Sequence, residues 1–362
     1  MAAGPVMGIT DVREAISWQA SHAERADAPI TGRVVRAELA ILDTPTALAR
    51  RMSGWPGLSL EDAMPLRVAA GFHWLCLTGA ERRLERVYAG ALTDQATIDE
   101  LVAAIALEWD AKLVPWLDSP PQTNEAGRSA SFMAALLWLS RRLGPNPSTG
   151  LRTGFEMNEI GASAGVNTMI ERYRYDLGGV MVGPTDSPML IRPEWRGPPP
   201  PAAEVEIVAI RGCDVAPVDL SDPGEALRLK AYVWPDATER MGRIDAAIRL
   251  AAGNPPRLER KDAGSFVEER LETPQQAGVT RVIYHSVMWQ YLPDTTRRSI
   301  AAVIELAGTH ATPERPLAWI RLETNRATFR HELTVRYWPG GAEPVELSEA
   351  HPHGAWVEWH GG

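Results

Sequence analysis

Apolar positions in the first 150 residues recur at helical spacing. Ile98, Leu101, Val102, Ile105 and Trp109 follow the opener Thr93-Asp94-Gln95 at helical steps, and Phe132 to Leu139 is apolar almost all round, which predicts a buried helix. No stretch there alternates as a half-buried strand does. Gly144-Pro145-Asn146-Pro147-Ser148 breaks the pattern, and from Gly154 short β-rich runs alternate with amphipathic helices. Strand one is read as Phe155 to Ile160, followed by a helix through Met169 and Ile170. Strand two runs from Val205 to Ile210 and ends at Asp214, strand three lies near Arg257 to Arg260, strand four is Arg281 to His285, and strand five is Leu317 to Leu322. Between the first two, residues 174–204 read as an insertion with a hairpin and the stiff Pro198-Pro199-Pro200-Pro201 segment. Asp222-Pro223-Gly224-Glu225 and Asp236-Ala237-Thr238-Glu239 resemble capped helix starts. Met241, Ile244, Ile248 and Ala251 give the second of these an apolar face, and a further helix runs from Asp294 to Gly308. His331 to Trp338, a Pro339-Gly340-Gly341 turn and Ala355 to Trp359 read as a terminal antiparallel pair.

This alternation predicts an α/β fold with a mostly parallel, Rossmann-like sheet covered on both faces. An all-helical domain at 1–150 would act as a cap or lid on an α/β domain at 151–362. With 362 residues, 45% hydrophobic and 23% charged, a sizeable core is easily built and disordered or fibrous classes drop out. No apolar run approaches a membrane span, and the N-terminus has neither a charged n-region nor a long apolar core, so a cytoplasmic location is expected. Cys76 and Cys213 are too few and too far apart for a disulfide framework or a cysteine zinc site. A net charge of −9 argues against general affinity for nucleic acid and leaves a small molecule as the expected partner. The oligomeric state is left open.

The most informative stretch is Glu159-Ile160-Gly161-Ala162-Ser163-Ala164-Gly165-Val166-Asn167. As Gly-x-Ser-x-Gly it is the strand-to-helix elbow that presents a serine nucleophile. As Glu-x-Gly-x-x-x-Gly it is a loop whose glycines let backbone approach a cofactor. A serine hydrolase of the elbow type has several strands before its nucleophile strand. Here the motif sits on the first strand, which favours the cofactor cradle.

With that loop, the layout resembles class I S-adenosylmethionine (SAM)-dependent methyltransferases over residues 150–362. The resemblance implies SAM as cofactor, with Glu159 holding the methionine amine and Gly161, Ser163, Gly165 and Asn167 beside it. Ser163 stands where many members of that family have glycine. Asp214, or Asp176 if the insertion is misread, would bind the ribose hydroxyls, and Asp262-Ala263 falls where the adenine amine is read. His285 and Tyr291, in His285-Ser286-Val287-Met288-Trp289-Gln290-Tyr291, fall where strand four meets the substrate. The resemblance thus implies methyl transfer to a small acceptor. The alternatives are a non-catalytic binding or regulatory protein on the same fold and an acyl hydrolase using Ser163.

Four motifs in order also resemble the bacterial proteins grouped as domain of unknown function 2332. They are Pro120-Pro121-Gln122-Thr123-Asn124-Glu125-Ala126-Gly127-Arg128, the Glu159 to Asn167 loop with Arg172-Tyr173-Arg174-Tyr175, Val233-Trp234-Pro235-Asp236, and Tyr284-His285-Ser286. That group supplies no reaction. Asn124, Glu125 and Arg128 read either as a plain helix start or as a polar floor for a substrate carboxylate. His285 reads as a core histidine or a general base. Trp234 and Asp236 read as a helix boundary or as pocket lining. His351-Pro352-His353 with His360 reads as a surface loop, so no metal is expected. The 13 tryptophans are scattered singly, which suits packing rather than base stacking.

Overall fold

The computed structural model describes residues 9–122, 124–144, 154–341 and 343–361. The segment at 1–8, Thr123, the break at 145–148 and the domain boundary expected at 150 lie outside the described residues. The chain opens with α1 (Val12–Arg25), α2 (Pro29–Ile41), α3 (Ala47–Ser53), α4 (Met64–Leu77), α5 (Glu85–Tyr88), α6 (Gln95–Leu113) and α7 (Ser129–Leu143). It continues with β1 (Gly154–Ile160), β2 (Arg174–Leu177), β3 (Val180–Val182), β4 (Leu190–Ile191), β5 (Glu194–Arg196) and β6 (Glu206–Asp214). Then come α8 (Pro223–Ala231), α9 (Thr238–Gly253), β7 (Leu258–Arg260), α10 (Ala263–Glu272), β8 (Val279–Ser286) and α11 (Asp294–Thr309). It closes with β9 (Leu317–Thr324), β10 (His331–Trp338), β11 (Val345–Ala350) and β12 (Trp356–Trp359).

The chain forms two compact units. Unit 1 takes the described part of Met1–Thr123 together with Asp222–Asp245, and unit 2 takes Asn124–Ser221 and Ala246–Gly362. In unit 1 the helix starts follow local chemistry: the side chains of Asp11, Thr46, Asp94 and Asp222 accept from the amide three residues on. Ile16, Val35, Ile41, Phe72, Ile98 and Val102 are fully buried in its core. Asp236 departs from the expected pattern. Its carboxylate leaves its own helix start and caps α2, accepting from Ile30 N at 2.8 Å, Thr31 N at 2.9 Å and Thr31 Oγ1 at 2.7 Å. The start of α2 needs this because Ala28 precedes it and offers no side-chain acceptor.

Unit 2 is built on a sheet that, among the described residues, has nine strands in the order β5-β12-β11-β10-β9-β8-β1-β6-β7. From β7 to β9 every pair is parallel, so these strands run 3-2-1-4-5 in order of appearance and the order reverses at β1. β8 is buried along its whole length, as a central parallel strand must be. Its alternation sends Ile283 and His285 to the face of Phe266 on α10 and of Ile300 and Ile304 on α11, and Tyr284 to the face where α7 places Phe132, ring centroids 5.1 Å apart.

Two expectations are corrected. His331–Trp338 and the last strand do not pair: β11 lies between them, and β12 takes β5 in parallel on its other edge. Glu346 and Glu349, exposed and half-buried, disguise a strand whose Leu347 and Ser348 are buried. The helix expected after strand one is only a 3-10 turn, Val166–Arg172. Tyr173 and Tyr175 donate their hydroxyls to the carbonyls of Val166 and Ile170, holding the segment in that tighter form. The hairpin of the insertion is formed by β2 and β3.

Candidate functional site

Glu159 is the penultimate residue of β1, at the point where strand order reverses, and is 1% exposed. Its Oε2 has no hydrogen-bond partner, and neither has Oδ1 or Nδ2 of Asn167, which is 0% exposed. Burial holds the Glu159 carboxyl well above the usual carboxylate range; the Asn167 amide and the charge of Arg128 act in the opposite direction and are outweighed. Asn167 does so without closing a hydrogen bond of normal geometry. The Tyr284 hydroxyl donates to Asn167 O at 3.1 Å and fixes the turn that carries the amide.

The loop between them is held by its own amides. Ala162 N donates to Cys213 O at 2.9 Å, Ser163 N to Asp214 Oδ2 at 2.9 Å, Gly165 N to Ala162 O at 2.8 Å and Val166 N to Asn124 Oδ1 at 2.7 Å. Gly161 and Gly165 sit at φ +67° and +70°, where a side chain would be strained. A Cβ on Gly161 would come within 2.8 Å of Met288 Cγ, and one on Gly165 within 2.6 Å of Pro256 Cβ. These glycines therefore admit neighbouring side chains. Ser163, at φ +53°, has a buried Oγ without a hydrogen-bond partner, so no base stands on it.

Asp214 closes β6 beside the loop, each carboxylate oxygen accepting one amide, from Ser163 and Ala216. Asp176 lies instead in the β2 hairpin, paired with Arg192 at 2.9 Å. Asp262 caps α10 through Ser265 N, which lowers its carboxyl pKa, and Ala263 is buried against the helix core. Asn124 reaches the loop as described, Glu125 accepts from Gly127 N at 3.0 Å, and Arg128 is 4% exposed with its Nε donating to Pro352 O at 2.8 Å. The segment thus carries a 3-10 turn, Ala126–Arg128, before α7, and brings Asn124 and Arg128 to the end of β1. Trp234 and Asp236 belong to unit 1, where Asp236 is occupied with α2.

His285 is fully buried and both ring nitrogens are engaged. Nε2 accepts from Trp319 Nε1 at 3.2 Å, so Nδ1 carries the proton and donates to Glu323 at 2.7 Å. Tyr291, expected where strand four meets the substrate, is 76% exposed. Glu323 Oε1 also accepts from Met288 N and Trp289 N, pinning a turn in which Val287 sits at φ +52°. Sequence reasoning missed Glu323, one residue beyond the expected end of strand five, and His331, which burial and the charge of Arg128 push down to about 4. The signal that would have found them is a polar residue at a strand terminus: Glu323 next to the end of β9 and His331 at the start of β10.

No curated protein and no solved structure matches the chain. The profile of one family, described as "Uncharacterized protein conserved in bacteria (DUF2332)", matches residues 13–359, and the chain accordingly belongs to that family.

Proposed function

We propose that the chain is a SAM-dependent methyltransferase acting on a small-molecule acceptor, with the cofactor at the carboxyl ends of β1 and β6. The observation that carries this reading is the buried carboxyl of Glu159, whose Oε2 has no hydrogen-bond partner, beside the unpartnered side-chain amide of Asn167. They lie at the reversal point of a 3-2-1-4-5 sheet, where open α/β sheets bind their ligands. A desolvated acid with one oxygen left without a partner suits an ammonium group, which SAM carries on its amino-acid end. Asp214 uses one acceptor site on each oxygen and keeps lone pairs for the ribose hydroxyls. The spent loop amides disfavour a phosphate-bearing ligand, and SAM has no phosphate. Approach to Gly161 requires the flexible Met288 side chain to swing aside. Bound there, the sulfonium supplies the methyl group and its driving force; the chain's residues align the ligand and exclude water.

The second reading is a non-catalytic binding protein, and the engagement of both His285 nitrogens with the exposure of Tyr291 favours it. Titration calorimetry with SAM and S-adenosylhomocysteine tests the shared part: saturable heat is expected, weakened about tenfold or more in Glu159→Gln. No heat at about millimolar ligand refutes both readings for this cofactor. Methyl transfer to any member of an acceptor panel separates the enzyme from the binder.

A further inference from the structure

Within unit 1, a small open-mouthed cleft lies between α2, α4 and the segment that follows α8. Val34, Leu66, Val233 and Trp234 form apolar walls, and His73 and Tyr88 supply polar ones. His73 Nδ1 donates to Ala231 O at 3.0 Å, which fixes its tautomer, and its ring stacks on Tyr88 with centroids 5.0 Å apart. Beside Tyr88 on α2 is Glu38, 0% exposed among aliphatic helices. Neither of its carboxyl oxygens has a hydrogen-bond partner, and nor has Tyr88 Oη. The Ala69 backbone acts on the carboxyl without closing a bond of normal geometry. A position serving only the core is filled at far less cost by leucine.

The chemistry around these orphan atoms selects a cation. No lysine or arginine lines the cavity among the described residues, and Lys230, whose charge reaches His73, is paired with Asp245 at 2.6 Å. Burial pushes His73 down to about 4, so its ring is neutral near pH 7. The faces of Tyr88 and Trp234 attract positive charge. We infer that unit 1 carries a binding site for a small organic amine, its ammonium group on Glu38 and Tyr88 and its apolar body against Val34 and Trp234. The carboxyl releases its proton to solvent as the ammonium arrives, and the two enter contact as an ion pair. This site is independent of the methyltransferase reading.

The test titrates benzylamine, benzyl alcohol and benzoate into the full chain, followed by saturation-transfer NMR and calorimetry. Benzylamine is expected to bind saturably at about millimolar concentration while its neutral and anionic counterparts do not. Glu38→Gln, which keeps the shape and removes the charge, is expected to weaken it about tenfold or more. Ala69→Leu, which fills the cavity and leaves Glu38 in place, is expected to abolish it. Should Glu38→Gln fail to fold, Ala69→Leu and Tyr88→Phe decide. Absence of saturable benzylamine binding, equal binding of benzyl alcohol or benzoate, or binding that survives the variants overturns the proposal.

Discussion

Replacing Asp236 by alanine removes the cap of a helix whose first capped amide, Ile30 N, lies 206 residues earlier in the sequence. Three donors lose their acceptor: Ile30 N, Thr31 N and Thr31 Oγ1. An N-cap contributes about 1 kcal/mol, and hydrogen bonds to a charged, partly buried acceptor add about 1.5–3 kcal/mol, with incomplete additivity. The carboxylate also faces the positive end of the α2 dipole, for about 0.3–1 kcal/mol more. The expected loss is about 2–4 kcal/mol, or a fall of about 5–15 °C in Tm at roughly 2–4 °C per kcal/mol. Asp222→Ala, which removes only the local cap of α8, serves as the calibrating variant at about 1 kcal/mol. Asp236→Asn keeps one acceptor and turns the other into a donor facing a backbone N–H, so it recovers only part of the loss. Because the chain has two units, a single melting curve is not enough. Hydrogen–deuterium exchange resolved by peptide should show faster exchange in α2 and unchanged exchange in β1. A Tm within about 1 °C of the parent with α2 protection intact refutes the reasoning. Weakened ligand binding with α2 unchanged would return Asp236 to the pocket.

Two further predictions follow from buried polar groups. Glu159 holds its proton in the folded chain above the ordinary glutamate value of 4.5, so the folded state binds more protons than the unfolded one from that pH upward. Stability therefore falls as pH rises above 4.5, by about 1.4 kcal/mol per pH unit while the mismatch lasts. Glu159→Gln is expected to flatten this slope and raise stability at pH 7, read by urea unfolding at several pH values; a steeper or unchanged slope refutes it. Ser163→Ala removes a hydroxyl without a partner, so stability should stay within about 0.5 kcal/mol and a fluorophosphonate probe should label neither form. Labelling of the parent but not of the variant would make Ser163 a nucleophile.

Much of the fold is legible along the chain because its signals are local. A central parallel strand is a continuous apolar run, and Asp222 and Asp262 cap the helices directly after them, at a spacing set by helix geometry. The same logic placed Glu159 and Asp214 at the ends of neighbouring strands, since a polar residue closing an apolar run marks where a strand leaves the core. Local logic fails where an identical carboxylate has two possible destinations. Asp236 has the signature of a cap for the helix that follows it and serves α2 instead, because the absence of an acceptor at Ala28 becomes visible only when the two segments meet.

The sequence by itself determined where the five parallel strands and several of the helices lie, which acids stand at their ends and that the later strands form a mostly parallel sheet. Periodicity and capping are properties of a few adjacent residues. Only the tertiary structure decided that Glu323 holds His285, that the amides of Ala162 and Ser163 are spent on the end of β6, that β11 enters before the last strand, and that Glu38 lies without a partner beside Tyr88. Each depends on which surfaces meet across many residues of chain, and on how much water remains between them once they have met.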